Sequence, residues 1–85
     1  MRSALLLLLV LLATGGVWSG VERGNRLFRD GKYAEAVAEY RAALRDGDES
    51  TTLRYNLGTA LLRLGRYQEA EEHLRAALDA VDPEV

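Results

Sequence analysis

Charged residues are absent from positions 3–21, and within that stretch Ala4–Ala13 (ALLLLLVLLA) is apolar without interruption. Beyond it, apolar residues return at helical spacing. Tyr33, Ala36, Val37, Tyr40, Ala43 and Leu44 follow one another in steps of three or one, as one face of an α-helix requires. Tyr67, Ala70, Leu74, Ala77, Leu78 and Val81 trace a second such face. Another helical segment precedes each. Gly31 and Gly65 stand between the members of each pair, where a helix C-terminus takes a left-handed residue. Ser50 or Thr51 is positioned to cap the third helix, and Pro83 follows the last one. The pattern predicts an all-α chain of about four short antiparallel helices in two helix–turn–helix pairs.

The two pairs are copies. With the chain displaced by 34 residues, Gly24, Leu27, Arg29, Gly31, Tyr33, Glu35, Ala36, Arg41, Ala42, Ala43, Leu44 and Asp48 fall on identical residues. Their partners are Gly58, Leu61, Arg63, Gly65, Tyr67, Glu69, Ala70, Arg75, Ala76, Ala77, Leu78 and Asp82. An ungapped register at this period is the mark of a repeat array. The small residues have a mechanical purpose: Ala36, Ala43, Ala70, Ala77, Gly24 and Gly58 let two helix axes approach closely.

GNRLFRDGKYAEAVAEYRAAL and YNLGTALLRLGRYQEAEEHLRAAL resemble two copies of the tetratricopeptide repeat, including its Gly, Gly-x-Tyr, Ala and Ala-Leu positions. The resemblance implies an α-solenoid of two helix–turn–helix units behind a hydrophobic N-terminal helix. Residues 1–19 form the leader, 20–50 unit one, 51–82 unit two and 83–85 a tail. Unit one departs from the family at its start, where Gly20 and Arg23 replace the preferred Trp and Leu. The order of parts is also similar to the exported repeat proteins of bacterial aerotolerance (Bat) operons: a leucine-rich leader, then Gly-Asn-Arg-Leu and Tyr-Asn-Leu-Gly repeats.

The leader reads first as a signal peptide. Arg2 and the free amine precede an apolar run of about ten residues, Gly15-Gly16 breaks the helix, and Val17-x-Ser19 offers a cleavage step. Ala13-x-Gly15 is a second candidate. This reading places the protein in the periplasm. The alternative is an uncleaved anchor. Residues 3–21 at about 1.5 Å each reach about 28 Å, barely a hydrocarbon core, with Trp18 at the interface. Arg23, Arg26, Arg29 and Lys32 behind the segment would hold that flank in the cytoplasm if it stayed uncleaved.

Composition then removes whole classes of function. At 85 residues the chain is about half an average domain, which excludes a two-domain enzyme. Its 48% apolar content excludes wholesale disorder. There is no cysteine and a single histidine, His73, so no disulfide, thiol nucleophile or His-based zinc site is expected. A net charge of −2, with basic and acidic residues interleaved, is no footprint for nucleic acid. The densest ionisable cluster, Glu69, Glu71, Glu72 and His73, reads as a solvated helix face. No enzyme activity, metal or cofactor is expected.

Binding remains. In stacked helix pairs the first helix of each lines the concave side. Helical periodicity places Glu22, Asn25, Phe28 and Arg29 there from unit one, with Tyr55, Asn56, Thr59, Leu62 and Arg63 from unit two. The expected partner-binding set is Asn25, Phe28, Arg29, Tyr55, Asn56, Thr59 and Arg63. Asparagine can bond both N–H and C=O of a peptide group, arginine can pair a carboxylate, and aromatic faces add contact area. Tyr33, Tyr40 and Tyr67 are assigned to the core. The family's peptide clamp has an asparagine in each of its first two units at a separation matching Asn25 and Asn56, but Val21 stands where its lysine would be. The resemblance thus implies an adaptor or scaffold for a protein or peptide partner, with membrane contact only through the leader. The alternative is an assembly subunit. Leu78 and Val81 have no covering helix in this chain, so self-association through open repeat ends, or another chain, would complete it.

Overall fold

The computed structural model describes residues 20–81; the leader with both cleavage motifs, and the tail with Pro83, lie outside them. The described residues form four helices: α1 (Gly20–Arg29), α2 (Tyr33–Arg45), α3 (Thr51–Arg63) and α4 (Tyr67–Val81). They contain no strand, and no helix among them is long and apolar enough to cross a membrane.

One kind of turn is used three times. Gly31 takes φ +76°, its N–H bonds to Phe28 O at 3.0 Å, and the next N–H bonds to Leu27 O at 2.9 Å. Gly65 repeats this at φ +77°, with bonds of 3.0 Å to Leu62 O and 2.9 Å from Arg66 to Leu61 O. Both satisfy carbonyls that a helix end leaves open, in a backbone region that favours glycine. Gly47, at φ +97°, closes α2 in the same way, although it has no counterpart in the repeat pattern. Ser50, rather than Thr51, caps α3: its hydroxyl accepts from Leu53 N at 3.1 Å.

Helix α3 lies at the centre, packed on α4 within its own unit and on α2 of the unit before. Its Leu53, Leu57, Ala60 and Leu61 are fully buried in one cluster with Ala36, Val37, Tyr40, Ala43 and Ala70. Each large apolar side chain removed from water contributes about 1.5–3 kcal/mol, so this shared seam holds the two units together. Within each unit a glycine sets the helix spacing. A Cβ on Gly24 would lie 2.4 Å from a carbon of the Tyr40 ring, and one on Gly58 would lie 2.6 Å from Leu74 Cγ.

Two expectations are corrected. Tyr67 is not core but 68% exposed, and Tyr33 is only partly buried. Tyr33 leans edge-on against Phe28 with ring centroids 5.1 Å apart; at the matching place in unit two stands Leu62, itself exposed, so Tyr67 has no aromatic wall. The acidic cluster on α4 is also more than a solvated face. Glu69 accepts from the Arg41 guanidinium across the seam, and from Arg66 at 3.4 Å. The Arg41 hydrogen bond holds its carboxyl below the ordinary carboxylate value, against a smaller opposing effect of burial. His73 is partly buried, and burial, helped by the charge of Arg54, pushes its imidazole below the ordinary value. Glu71 and Glu72 are exposed as expected.

Candidate functional site

Between α1 and α3 runs a groove of about 320 Å³. Asn25, Phe28 and Arg29 line it from α1, Tyr55, Asn56 and Thr59 from α3, and Tyr40 of α2 closes its floor. On α1 the three stand at i, i+3 and i+4, and on α3 Thr59 lies three and four residues beyond Asn56 and Tyr55, so each helix delivers its residues on one face. Six of the seven residues in the expected partner-binding set thus meet around one cavity. Arg63 does not: it is exposed at the end of α3, outside the lining, as are Glu22 and Leu62.

A hydrogen-bond network fixes the groove's polar centre. The Tyr40 hydroxyl donates to Asn25 Oδ1 at 2.5 Å, and Asn56 Nδ2 donates to the same oxygen at 2.8 Å. Thr59 Oγ1 donates back to Tyr55 O at 2.8 Å, a local helix bond. The two asparagines do not occupy equivalent repeat positions. They are 31 residues apart, about one helical turn short of the repeat, and the bond between them crosses the seam.

The network changes what each amide can offer. Both lone pairs of Asn25 Oδ1 are taken, so Asn25 presents its NH₂ donors alone. Asn56 keeps its carbonyl oxygen and one N–H. Only Asn56 can therefore bond both groups of a peptide unit, where the sequence suggested that both asparagines would. Burial raises the Tyr40 hydroxyl above the ordinary phenol value, partly offset by the charge of Arg29, and so keeps it a donor. Helical periodicity places Tyr40 in the core and is silent on its hydroxyl. The available signal is the break in the repeat itself: Tyr40 falls opposite Leu74.

Tyr55 is 58% exposed and borders a second, more apolar groove of about 490 Å³ at the far end of the array, where exposed Leu78 and Val81 lie beside the partly buried Leu74. Among the described residues no three His, Asp or Glu side chains converge as metal ligands.

The family model described as tetratricopeptide repeat matches residues 21–84. This chain belongs to the tetratricopeptide repeat family. Tetratricopeptide repeats generally mediate protein–protein interaction and are a non-catalytic type of module. No curated protein and no solved structure matches the chain.

Proposed function

We propose that this tetratricopeptide protein is a non-catalytic adaptor that holds an extended segment of a partner protein in the groove between α1 and α3. The observation that carries the reading is the Tyr40–Asn25–Asn56 network, which holds amide groups rigidly beside Phe28, Tyr55 and Arg29. An extended peptide has unpaired N–H and C=O groups. Asn56 supplies a partner for each, Asn25 adds donors for a carbonyl, and Arg29 can pair a carboxylate. Because the amides are already oriented, little side-chain freedom is lost on binding. The uncharged run of residues 3–21 supports action outside the cytoplasm, by export to the periplasm, or at the membrane through an uncleaved anchor.

A phage-displayed library of random unstructured peptides tests the groove. Peptides enriched on the protein should lose capture on Asn56→Ala and Arg29→Ala while helicity by circular dichroism stays unchanged. Undiminished capture by both variants would move the binding surface elsewhere. Intact-mass analysis of protein from the native host tests the location: loss of the residues up to Ser19 supports export, and retention of Met1 in a carbonate-resistant membrane fraction supports the anchor.

A further inference from the structure

Donors and acceptors are unbalanced in the groove between α1 and α3. Tyr40 and Asn56 consume Asn25 Oδ1, which leaves Asn25 Nδ2 with donors alone. Asn56 Nδ2 keeps one N–H, and the Arg29 guanidinium adds further donors. The Thr59 proton is spent on Tyr55 O, so the polar centre accepts only through Asn56 Oδ1 and the Thr59 hydroxyl oxygen. Among the described residues, no carboxylate lines the groove. An ordinary extended segment carries one N–H for every C=O. This groove fits a segment with more C=O than N–H groups.

Proline makes such a segment, because it keeps its carbonyl and has no N–H. Proline-rich chains also take the polyproline II form, in which no backbone group bonds internally and every carbonyl stays open. The apolar lining agrees with this. Phe28 of α1 and Tyr55 of α3 both border the groove, and Tyr33 packs on Phe28 with 5.1 Å between ring centroids, which fixes that wall. Polyproline II segments dock in aromatic-lined grooves of this kind. A carboxylate would satisfy the same donors. Among the described residues, however, Arg29 is the one cation lining the groove, and it is exposed. A carboxylate drawn in between the rings would lose its water without a buried charge to pair with.

These side chains come together only where the two units meet. Thr59, Leu62, Val21 and Glu22 stand at the repeat positions of Asn25, Phe28, Tyr55 and Asn56. The groove's chemistry is therefore separate from the shared pattern that spaces the helices. We propose that the partner segment held between α1 and α3 is proline-rich and binds in the polyproline II form. Its rings lie against Phe28 and Tyr55, and its carbonyls accept from Asn25 Nδ2, Asn56 Nδ2 and Arg29. A non-proline residue within it donates its N–H to Asn56 Oδ1. This rests on the peptide-groove function proposed above and narrows it to one class of ligand.

Fluorescence anisotropy of the full chain with three labelled peptides tests this, all of equal length and capped at both ends. One alternates prolines with alanines, the second has every proline replaced by alanine, and the third is the second with central glutamates. The proline-rich peptide should bind about tenfold tighter than either of the others. Tyr55→Ala, at an exposed ring, should weaken it about tenfold with helicity unchanged, and Phe28→Leu should weaken it to a smaller degree. Tyr40→Phe, which reopens an acceptor on Asn25, should narrow its margin over the alanine peptide. Equal binding of the proline and alanine peptides, both lost on Asn56→Ala, would overturn the proline preference and leave the peptide groove standing. Tighter binding of the glutamate peptide would overturn it too, and assign the donors to a carboxylate. Proline-rich binding that Tyr55→Ala and Asn56→Ala both leave intact would remove the ligand from the groove and overturn the proposal, as would failure of all three peptides to bind.

Discussion

Gly24 and Gly58 hold the same place in the two units, yet what lies against them differs. Gly24 receives the ring of Tyr40, buried and tied through its hydroxyl to Asn25; Gly58 receives Leu74, which is only partly buried and faces the open end. The scaffold positions are shared, and the residue pressed into the scaffold has diverged. In unit one that residue reaches through the core to organise a polar groove. In unit two it belongs to an apolar surface. A repeat thus keeps its packing glycine and its turn while the side chain opposite becomes free to take a separate task.

The largest effect should come from the seam on which both units depend. Leu57→Ala removes a fully buried side chain between them and should cost about 2–5 kcal/mol. Both units should melt together in a denaturant titration followed by circular dichroism. Two separate transitions would show that the comparison is between independent hairpins rather than halves of one body.

Next come the glycines themselves. Gly24→Ala drives a methyl into the Tyr40 ring, which cannot turn aside without breaking its hydrogen bond, and should destabilise by about 1–3 kcal/mol. Gly58→Ala should cost less, because Leu74 can swing toward the open groove, which leaves the Ala70 carbonyl, 3.2 Å from the new methyl, as the tight contact. Equal losses in thermal melts would mean that the two pockets are equally rigid.

Tyr40→Phe sharpens the contrast further. It keeps the packing and removes only the hydroxyl, at a cost of about 1 kcal/mol. Asn25 Oδ1 regains an open lone pair, so the peptides selected by display should shift toward those offering an additional donor. An unchanged selection would show that the Tyr40 hydroxyl does not shape the groove.

The smallest effect is a pH dependence in unit two. His73 lies below the ordinary imidazole value of 6.5 in the folded chain, so the unfolded chain binds the proton more readily. Its contribution is complete above pH 6.5 and declines as pH falls through the folded value. Glu69, held below 4.5, loses its contribution in the same direction but at lower pH. The melting temperature should therefore fall between about pH 7 and pH 5 in the native chain, and His73→Gln should flatten that slope. A slope that survives the substitution would assign the titration to another group.

Much of this architecture is legible in the residues. Helical faces, turn glycines and the tight approach at Gly24 and Gly58 depend on neighbours in the chain and on a period of 34, all visible in one dimension. The apolar stripe that continues through Leu78 and Val81 is visible in the same way. Tyr67 escapes such a reading for a related reason: its repeat partner Tyr33 leans on Phe28, and periodicity says nothing of the Leu62 that replaces that ring.

By itself, the sequence determined the all-α repeat and the glycine turn inside each helix pair, and it set six of the groove's lining residues on one surface, together with Arg63, which lies outside it. Only the tertiary structure decided which polar groups meet. Asn25 finds Tyr40 15 residues away and Asn56 31 away, and Arg41 finds Glu69 at 28. None of these separations is a helical spacing or the repeat length. The first is set by how α1 packs on α2 around Gly24, and the other two by how α3 and α4 settle against unit one when Leu53, Leu57 and Leu61 enter the seam. Local propensity acts along the chain, whereas these placements are chosen by close packing between helices, so the hydrogen bonds exist only once the helices have packed.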